Sequence, residues 1–157
     1  VCARSDTATH VRPMRRGDVD AVLQLERAVY LFPWSARIFH DCLRVGYHAW
    51  VVTDDAGRVL GYSFLSIVLQ EAHILNICVA ESERGRGLAD QLLDIMIEAA
   101  TAARVESLML EVRPSNRAAR RLYKRRGFTF LGRRPRYYPA SEGREDALLL
   151  CLSLVDA

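Results

Sequence analysis

The chain has 157 residues, half of them hydrophobic and about a quarter charged, with a formal net charge of +3. That length buries a full core without disulfide or metal staples, and the composition is that of an ordinary globular domain. No apolar run approaches the ~20 residues of a membrane span, and cysteines at 2, 42, 78 and 151 are too far apart for a metal motif.

The opening "VCARSDTATH" has no apolar signal run, so reduced thiols, a cytoplasmic location and no membrane or metal partner are expected. Residues 1–10 read as a flexible tail, and "HVRPMR" opens the folded domain, 11–157, as a short strand. Asp18 stands as N-cap for a helix through "VDAVLQLERAVY", whose Val22, Leu25 and Val29 share one stripe. Pro33 in "LFPWS" stops that pattern, Ser35 caps the next helix, "ARIFHDCLRVG", and Gly46 ends it. "HAWVVTD" and "RVLGYSFLSIVLQ" flank "DAG", a hairpin signal in which Gly57 supplies positive φ. "AHILNICVA" is apolar on both faces around Asn76, as a central strand is.

Residues 88–103 have helical periodicity. Leu88, Leu92, Ile95, Met96, Ala99 and Ala103 form one face, Leu93 and Ala100 edge it, and Gln91, Asp94 and Glu98 lie opposite. "SLMLEV" is a buried strand. "NRAARRLYKRR" is a short helix with Ala118, Ala119, Leu122 and Tyr123 on its apolar side and Gly127 as C′ residue. "FTFLGRR" and "EDALLLCLSL" form a last strand pair joined by "PRYYPASEGR". The whole reads as one mixed α/β domain without repeat or linker.

From Arg113 to Arg136 every charged residue is basic. Such a stretch is either a phosphate or nucleic-acid surface or a solvated face. A sharper signal is "ESERGRGLADQLLD", residues 81–94: a glycine-rich loop between a strand and a helix. Free N–H groups converge at such a helix start and its dipole favours an anion. A Walker loop would need Gly-Lys-Ser/Thr where Leu88-Ala89-Asp90 stands, and a dinucleotide fingerprint would need glycine at Asp90. Arg84-Gly85-Arg86-Gly87-Leu88-Ala89 fits Arg/Gln-x-x-Gly-x-Gly/Ala instead.

That pattern is the coenzyme A pyrophosphate loop of the GNAT N-acetyltransferases, which the chain resembles from Val11 to Leu154 in element order as well as motif. "FPWS" at 32–35, "LEVRPSN" at 110–116, "LYKRRGF" at 122–128 and "YYP" followed by "GREDA" at 143–147 are similar to signatures of the bacterial ribosomal-protein-alanine branch of the family. The resemblance implies a GNAT fold: a mixed central sheet of about seven strands, splayed at the cofactor site, with about four helices. It implies acetyl-CoA as co-substrate, no metal, and direct transfer in a ternary complex to a protein N-terminal α-amine. The expected partner is the N-terminal alanine of a small-subunit ribosomal protein, with no direct nucleic-acid contact. Lysine side chains or small amines are the alternative acceptors. A non-catalytic ribosome- or RNA-binding module using the arginine-rich helix is the alternative of another class.

Acetyl transfer from a thioester needs a base, because an α-amino group of pKa ~8 is mostly ammonium at neutral pH, and an acid for the leaving thiolate. Glu111, near the carboxyl end of a buried strand, is the candidate base and matches the family's glutamate; an ion pair with Arg113 is the other reading. Tyr123 is the candidate acid, by the pattern Asn116-x-x-Ala119-x-x-Leu122-Tyr123, although its place on the apolar stripe equally suits a core residue. Asn116 suits a helix N-cap and, by resemblance, contacts coenzyme A. The resemblance also implies cofactor contacts from Arg84, Gly85, Arg86, Gly87, Leu88, Ala89 and Asp90, and from the backbone of Ile77, Cys78 and Val79 to the pantetheine arm. Cys78 itself reads as a small core hydrophobe. Phe32 and Trp34, with Tyr137 and Tyr138, fall in the two loops that flank the acceptor in this family; Trp34 equally suits an anchor for its turn.

Overall fold

A computed structural model describes residues 8–155. Among them are seven strands and four α-helices: β1 (Thr9–Pro13), α1 (Val19–Val29), α2 (Ala36–Arg44), β2 (His48–Asp54), β3 (Val59–Val68), β4 (Glu71–Val79), α3 (Leu88–Ala102), β5 (Ser107–Val112), α4 (Arg117–Arg125), β6 (Thr129–Pro139) and β7 (Arg144–Ser153). The strands run β1-β2-β3-β4-β5-β7-β6 across one sheet. β4 and β5 pair in parallel from Glu71↔Ser107 to Ile74↔Leu110, whereas β1–β2, β5–β7 and β6–β7 are antiparallel. A parallel pair needs a long crossover, and α3 provides it.

The chain packs as two compact units. The residues through Phe64 and Asn76–Leu93 form one, and Leu65–Leu75 with the residues from Asp94 onward form the other. In the first, Val22, Phe39, Val51, Tyr62 and Phe64 make a buried core, with Leu25, Val29 and Trp34 against it. Ser35 caps α2 as its sequence implies, its side chain accepting the Ile38 N–H, and Gly46 ends the helix at φ 85°. Asp18 does not cap α1 with its side chain. Its carboxylate instead takes two guanidinium bonds from Arg12 at 2.7 and 2.8 Å and the Arg15 N–H at 2.8 Å. The bidentate guanidinium pair engages both carboxylate oxygens and turns them toward Arg12 and Arg15, away from the N–H groups of α1. Of the residues expected in the tail, Thr9 and His10 pair with Asp54 and Thr53 in β1, and residues 1–7 lie outside the described residues.

The buried line of α3 is Leu88, Leu92, Leu93, Met96 and Ala100, while Ala103, just beyond its end, is exposed. The stripe is therefore turned toward Leu93 and Ala100, which the periodicity put at its edge. Aliphatic residues on adjacent positions cannot be ranked by hydropathy alone.

In the second unit, Leu108, Leu110 and Val112 of β5 are buried and Met109 and Glu111 alternate with them at half burial. Asn116 caps α4, its side chain accepting the Ala119 N–H at 3.2 Å, and Gly127 at φ 92° ends it. Leu122 and Tyr123 are buried as expected, but Ala118 is exposed. The "RYYP" segment is not a loop. β6 runs through Pro139, and the connection to β7 shrinks to residues 140–143, where the Ala140 N–H bonds the Gly143 carbonyl at 3.2 Å. A register slip between Arg134 and Tyr138, with Arg136 at φ 52°, accommodates Pro135 inside the strand.

Candidate active site

Four of the expected residues converge within the second unit. Glu111 retains 18% side-chain exposure, and its Oε1 lies 3.2 Å from Arg134 Nε. β7 runs between these two strands, Leu149 opposite Glu111 and Ala147 opposite Arg134, and the small Ala147 lets the guanidinium reach across. The Tyr137 phenol lies beside the Glu111 carboxylate, whose influence, with burial adding, raises the phenol's pKa. The Arg134 guanidinium also sits 5.6 Å from the Tyr137 ring centroid.

The alternative reading of the sequence paired Glu111 with Arg113, and the structure pairs it with Arg134 instead. β5 ends at Val112, so Arg113 leaves the strand and its Nη1 meets the Pro139 carbonyl at 2.7 Å and Glu145 at 3.4 Å. Its guanidinium lies 4.4 Å over the Tyr138 ring. Burial pulls the Glu145 carboxyl upward, but hydrogen bonds from Ser115 and Arg113 outweigh this and hold it below the ordinary value.

Tyr137 and Tyr138 pack edge to face at 4.8 Å. The Tyr138 phenol is pushed up to about 12, first by burial and then by the charge of Glu111. Tyr123 is 3% exposed, its ring 5.4 Å from Phe128. Burial, then the neighbouring Tyr138, raises its pKa, so it keeps its proton well above neutral pH. The cluster thus joins a carboxylate that can accept a proton to a buried phenol that can supply one. Arg134 was not legible as part of it, since nothing local announces a contact made across β7.

The glycine loop belongs to the first unit. Gly85 and Gly87 have φ of 80° and 77°, and a Cβ on either would meet nothing within 4 Å. Core packing therefore does not demand glycine there; backbone conformation and approach from outside do. The Gln91 N–H makes the bond to the Gly87 carbonyl at 3.0 Å, so the N–H groups of Leu88, Ala89 and Asp90 precede the first helical bond. This cradle fits a pyrophosphate. Arg86 pairs with Glu83, which also takes Arg58 at 3.1 Å.

On β4, the Ile77 carbonyl accepts the Tyr30 hydroxyl at 2.8 Å. The Cys78 thiol is buried and pushed up to about 12, chiefly by that burial, as suits a core residue and not a nucleophile. A Cβ at Gly61 would come 2.7 Å from the Cys78 carbonyl, so close passage of β3 by β4 requires glycine. Phe32 is exposed, whereas the Trp34 ring packs on Phe39 and Phe64 at 5.4 and 5.9 Å.

Sequence reasoning missed Glu26. It is buried on α1, where it accepts hydrogen bonds from Tyr62, Asn76 and the Trp34 backbone. Its signal was a charged residue four positions after Val22, on the apolar stripe. Among the described residues no cluster of three His, Cys, Asp or Glu could hold a metal ion, and no helix is long and apolar enough to cross a membrane.

Residues 19–128 match the model of the Acetyltransferase (GNAT) family. The chain is 34% identical over 137 residues to the ribosomal protein bS18-alanine N-acetyltransferase of Escherichia coli (strain K12), covering 87% of this chain and 92% of that protein. It is 36% identical, with the same coverage, to the protein of that name from Salmonella typhimurium. Its structure superposes on the crystal structure of the ribosomal-protein-S18-alanine N-acetyltransferase from Escherichia coli with a TM-score of 0.88 at 32% identity, covering 96% of each chain.

Proposed function

The chain belongs to the GNAT acetyltransferase family, and from that premise we propose that it acetylates the N-terminal alanine of a ribosomal protein such as bS18. Acetyl-CoA is the donor, and the reaction runs in the cytoplasm. The observation that carries this reading is Glu111 near the end of β5, 3.2 Å from Arg134, with the phenols of Tyr137, half-buried Tyr138 and buried Tyr123 clustered beside it. The names of relatives over 30% identical supply the acceptor.

Glu111 accepts the proton that the amine sheds as its nitrogen attacks the thioester carbonyl carbon. The carbon–sulfur bond breaks, and Tyr123 gives its phenolic proton to the departing sulfur. A carboxylate takes a proton from an α-ammonium of pKa ~8 more readily than from a lysine of pKa ~10.4. The backbone of residues 84–90 holds the pyrophosphate at the head of α3. Because Arg86 shares its charge with Glu83, backbone N–H groups carry much of that recognition. Backbone from Ile77 to Val79 lies along the pantetheine arm. Asn116 spends its side-chain oxygen on the Ala119 N–H and keeps its amide NH₂ to donate to the coenzyme. Phe32 and Tyr137, the exposed aromatics of the four, meet the peptide, while Trp34 anchors its own turn on Phe39 and Phe64 and Tyr138 packs against Tyr137.

Tandem mass spectrometry after incubation with acetyl-CoA and an Ala-initiated, arginine-rich peptide tests this. Acetylation at the α-amine is expected, with little on internal lysines and much less on a bulky first residue. Acetyl on lysine side chains, or faster turnover of spermidine than of the peptide, overturns the substrate and leaves the family standing.

A further inference from the structure

Resting on the reading that the turn at Phe32 meets the acceptor, we propose that buried Glu26 is a positioning residue that fixes this turn and so sets peptide affinity. Glu26 is 2% exposed among Val22, Phe39, Tyr62 and Phe64. No Lys, Arg or His pairs with it among the described residues. A buried carboxylate without a counter-charge costs stability, and an apolar residue of similar volume would serve the core better. The fold uses Glu26 for something else.

Its neighbours show what that is. The Tyr62 hydroxyl donates to Oε2. Asn76 Nδ2 donates to Oε2 at 3.1 Å and approaches Oε1 at 3.4 Å. The Trp34 backbone N–H donates to Oε1 at 3.2 Å. Both oxygens therefore act as acceptors, from α1 to β3, β4 and the turn at once.

The turn needs the hold. Leu31 is 73% exposed, Phe32 43% exposed, and Pro33 has no N–H to offer. Its two ends are tied to consecutive residues of β4: Tyr30 through its hydroxyl to the Ile77 carbonyl, and Trp34 through Glu26 to Asn76. Phe32 is carried between these ties, and the same strand offers Ile77 to Val79 to the donor.

Glu26→Gln keeps size but replaces one acceptor with a donor. If the amide oxygen stays on Trp34, the new NH₂ faces the Asn76 amide, donor against donor. Asn76→Asp alone sets two carboxylates together. The double variant restores one carboxylate opposite one amide.

Peptide KM and kcat, acetyl-CoA affinity and Tm are measured for all four proteins. We expect Glu26→Gln to raise peptide KM about tenfold, the worth of a buried hydrogen bond to a charged group, with kcat and acetyl-CoA affinity changed less. The double variant should recover most of that loss. A lowered Tm with unmoved KM, or a double variant as impaired as Glu26→Gln, overturns the proposal. Absence of wild-type turnover on the alanine peptide counts against the substrate reading instead. A substrate-free readout then decides about Glu26: acrylamide quenching of Trp34 in a Trp50→Phe background. Quenching should increase in Glu26→Gln, and unchanged quenching overturns the positioning role.

Discussion

Replacing Glu111 with glutamine removes the proton acceptor and keeps the side chain's size. Loss of a general base costs on the order of 10²–10⁴ in rate, or about 3–5 kcal/mol of barrier. Part of that loss depends on pH. At pH 7 only about a tenth of an amine of pKa ~8 is neutral, and the variant can use only that fraction. Raising the pH to about 9.5 should therefore recover about tenfold of the deficit.

The stability cost is smaller. The Arg134 partner is 56% exposed, so the ion pair is worth at most about 1 kcal/mol, and the amide oxygen still accepts from Arg134. That corresponds to a Tm decrease of about 2–4 °C for a chain of this size. Activity should thus fall far more than stability. Coenzyme A thiol release at pH 7 to 9.5 gives kcat/KM, and a melting curve gives Tm. A kcat/KM within twofold of wild type at pH 7 would return Glu111 to a structural role.

Tyr123→Phe leaves the ring on Phe128 and removes only the phenolic proton. Because a thiolate is a fair leaving group, kcat should fall by about 10–100-fold, less than for Glu111→Gln, with acetyl-CoA affinity intact; an unaltered kcat with chemistry rate-limiting assigns Tyr123 to the core alone. Gly87→Glu meets no atom within 4 Å and pays about 1–2 kcal/mol for its positive φ, so the fold should survive. Its carboxylate then stands at the head of α3, and acetyl-CoA should no longer raise the Tm; undiminished stabilisation removes the loop from the binding site.

What the sequence made legible was local. Ser35 and Asn116 announce their helices because a cap is satisfied within three residues, and Gly57 and Gly127 mark their turns by the φ they supply. Glu111 and Tyr123 were singled out as candidates through motif and element order. What stayed hidden was set by contacts between distant segments. Pro135 read as the end of a strand, because the register slip that tolerates it depends on β7. Glu111 meets Arg134 only because that guanidinium reaches past Ala147, a partner no spacing along the chain encodes. Glu26 went unread because its role is set by Tyr62, Asn76 and Trp34, none of which lies within a helical turn of it.

The irregularity in β6 has a bearing on how the protein behaves at high concentration. β6 is the last strand of the sheet, and such an edge is a template for pairing with another chain. Here Pro135 withholds an N–H, the slip after Arg134 breaks the ladder's regularity, and Arg133, Arg134 and Arg136 crowd the segment with like charge. Each of these deters edge-to-edge association. The distortion that carries Tyr137 beside Glu111 therefore also guards the sheet against aggregation. Straightening β6, by replacing Pro135 and the arginines with β-formers, would trade solubility for regularity and displace the tyrosine.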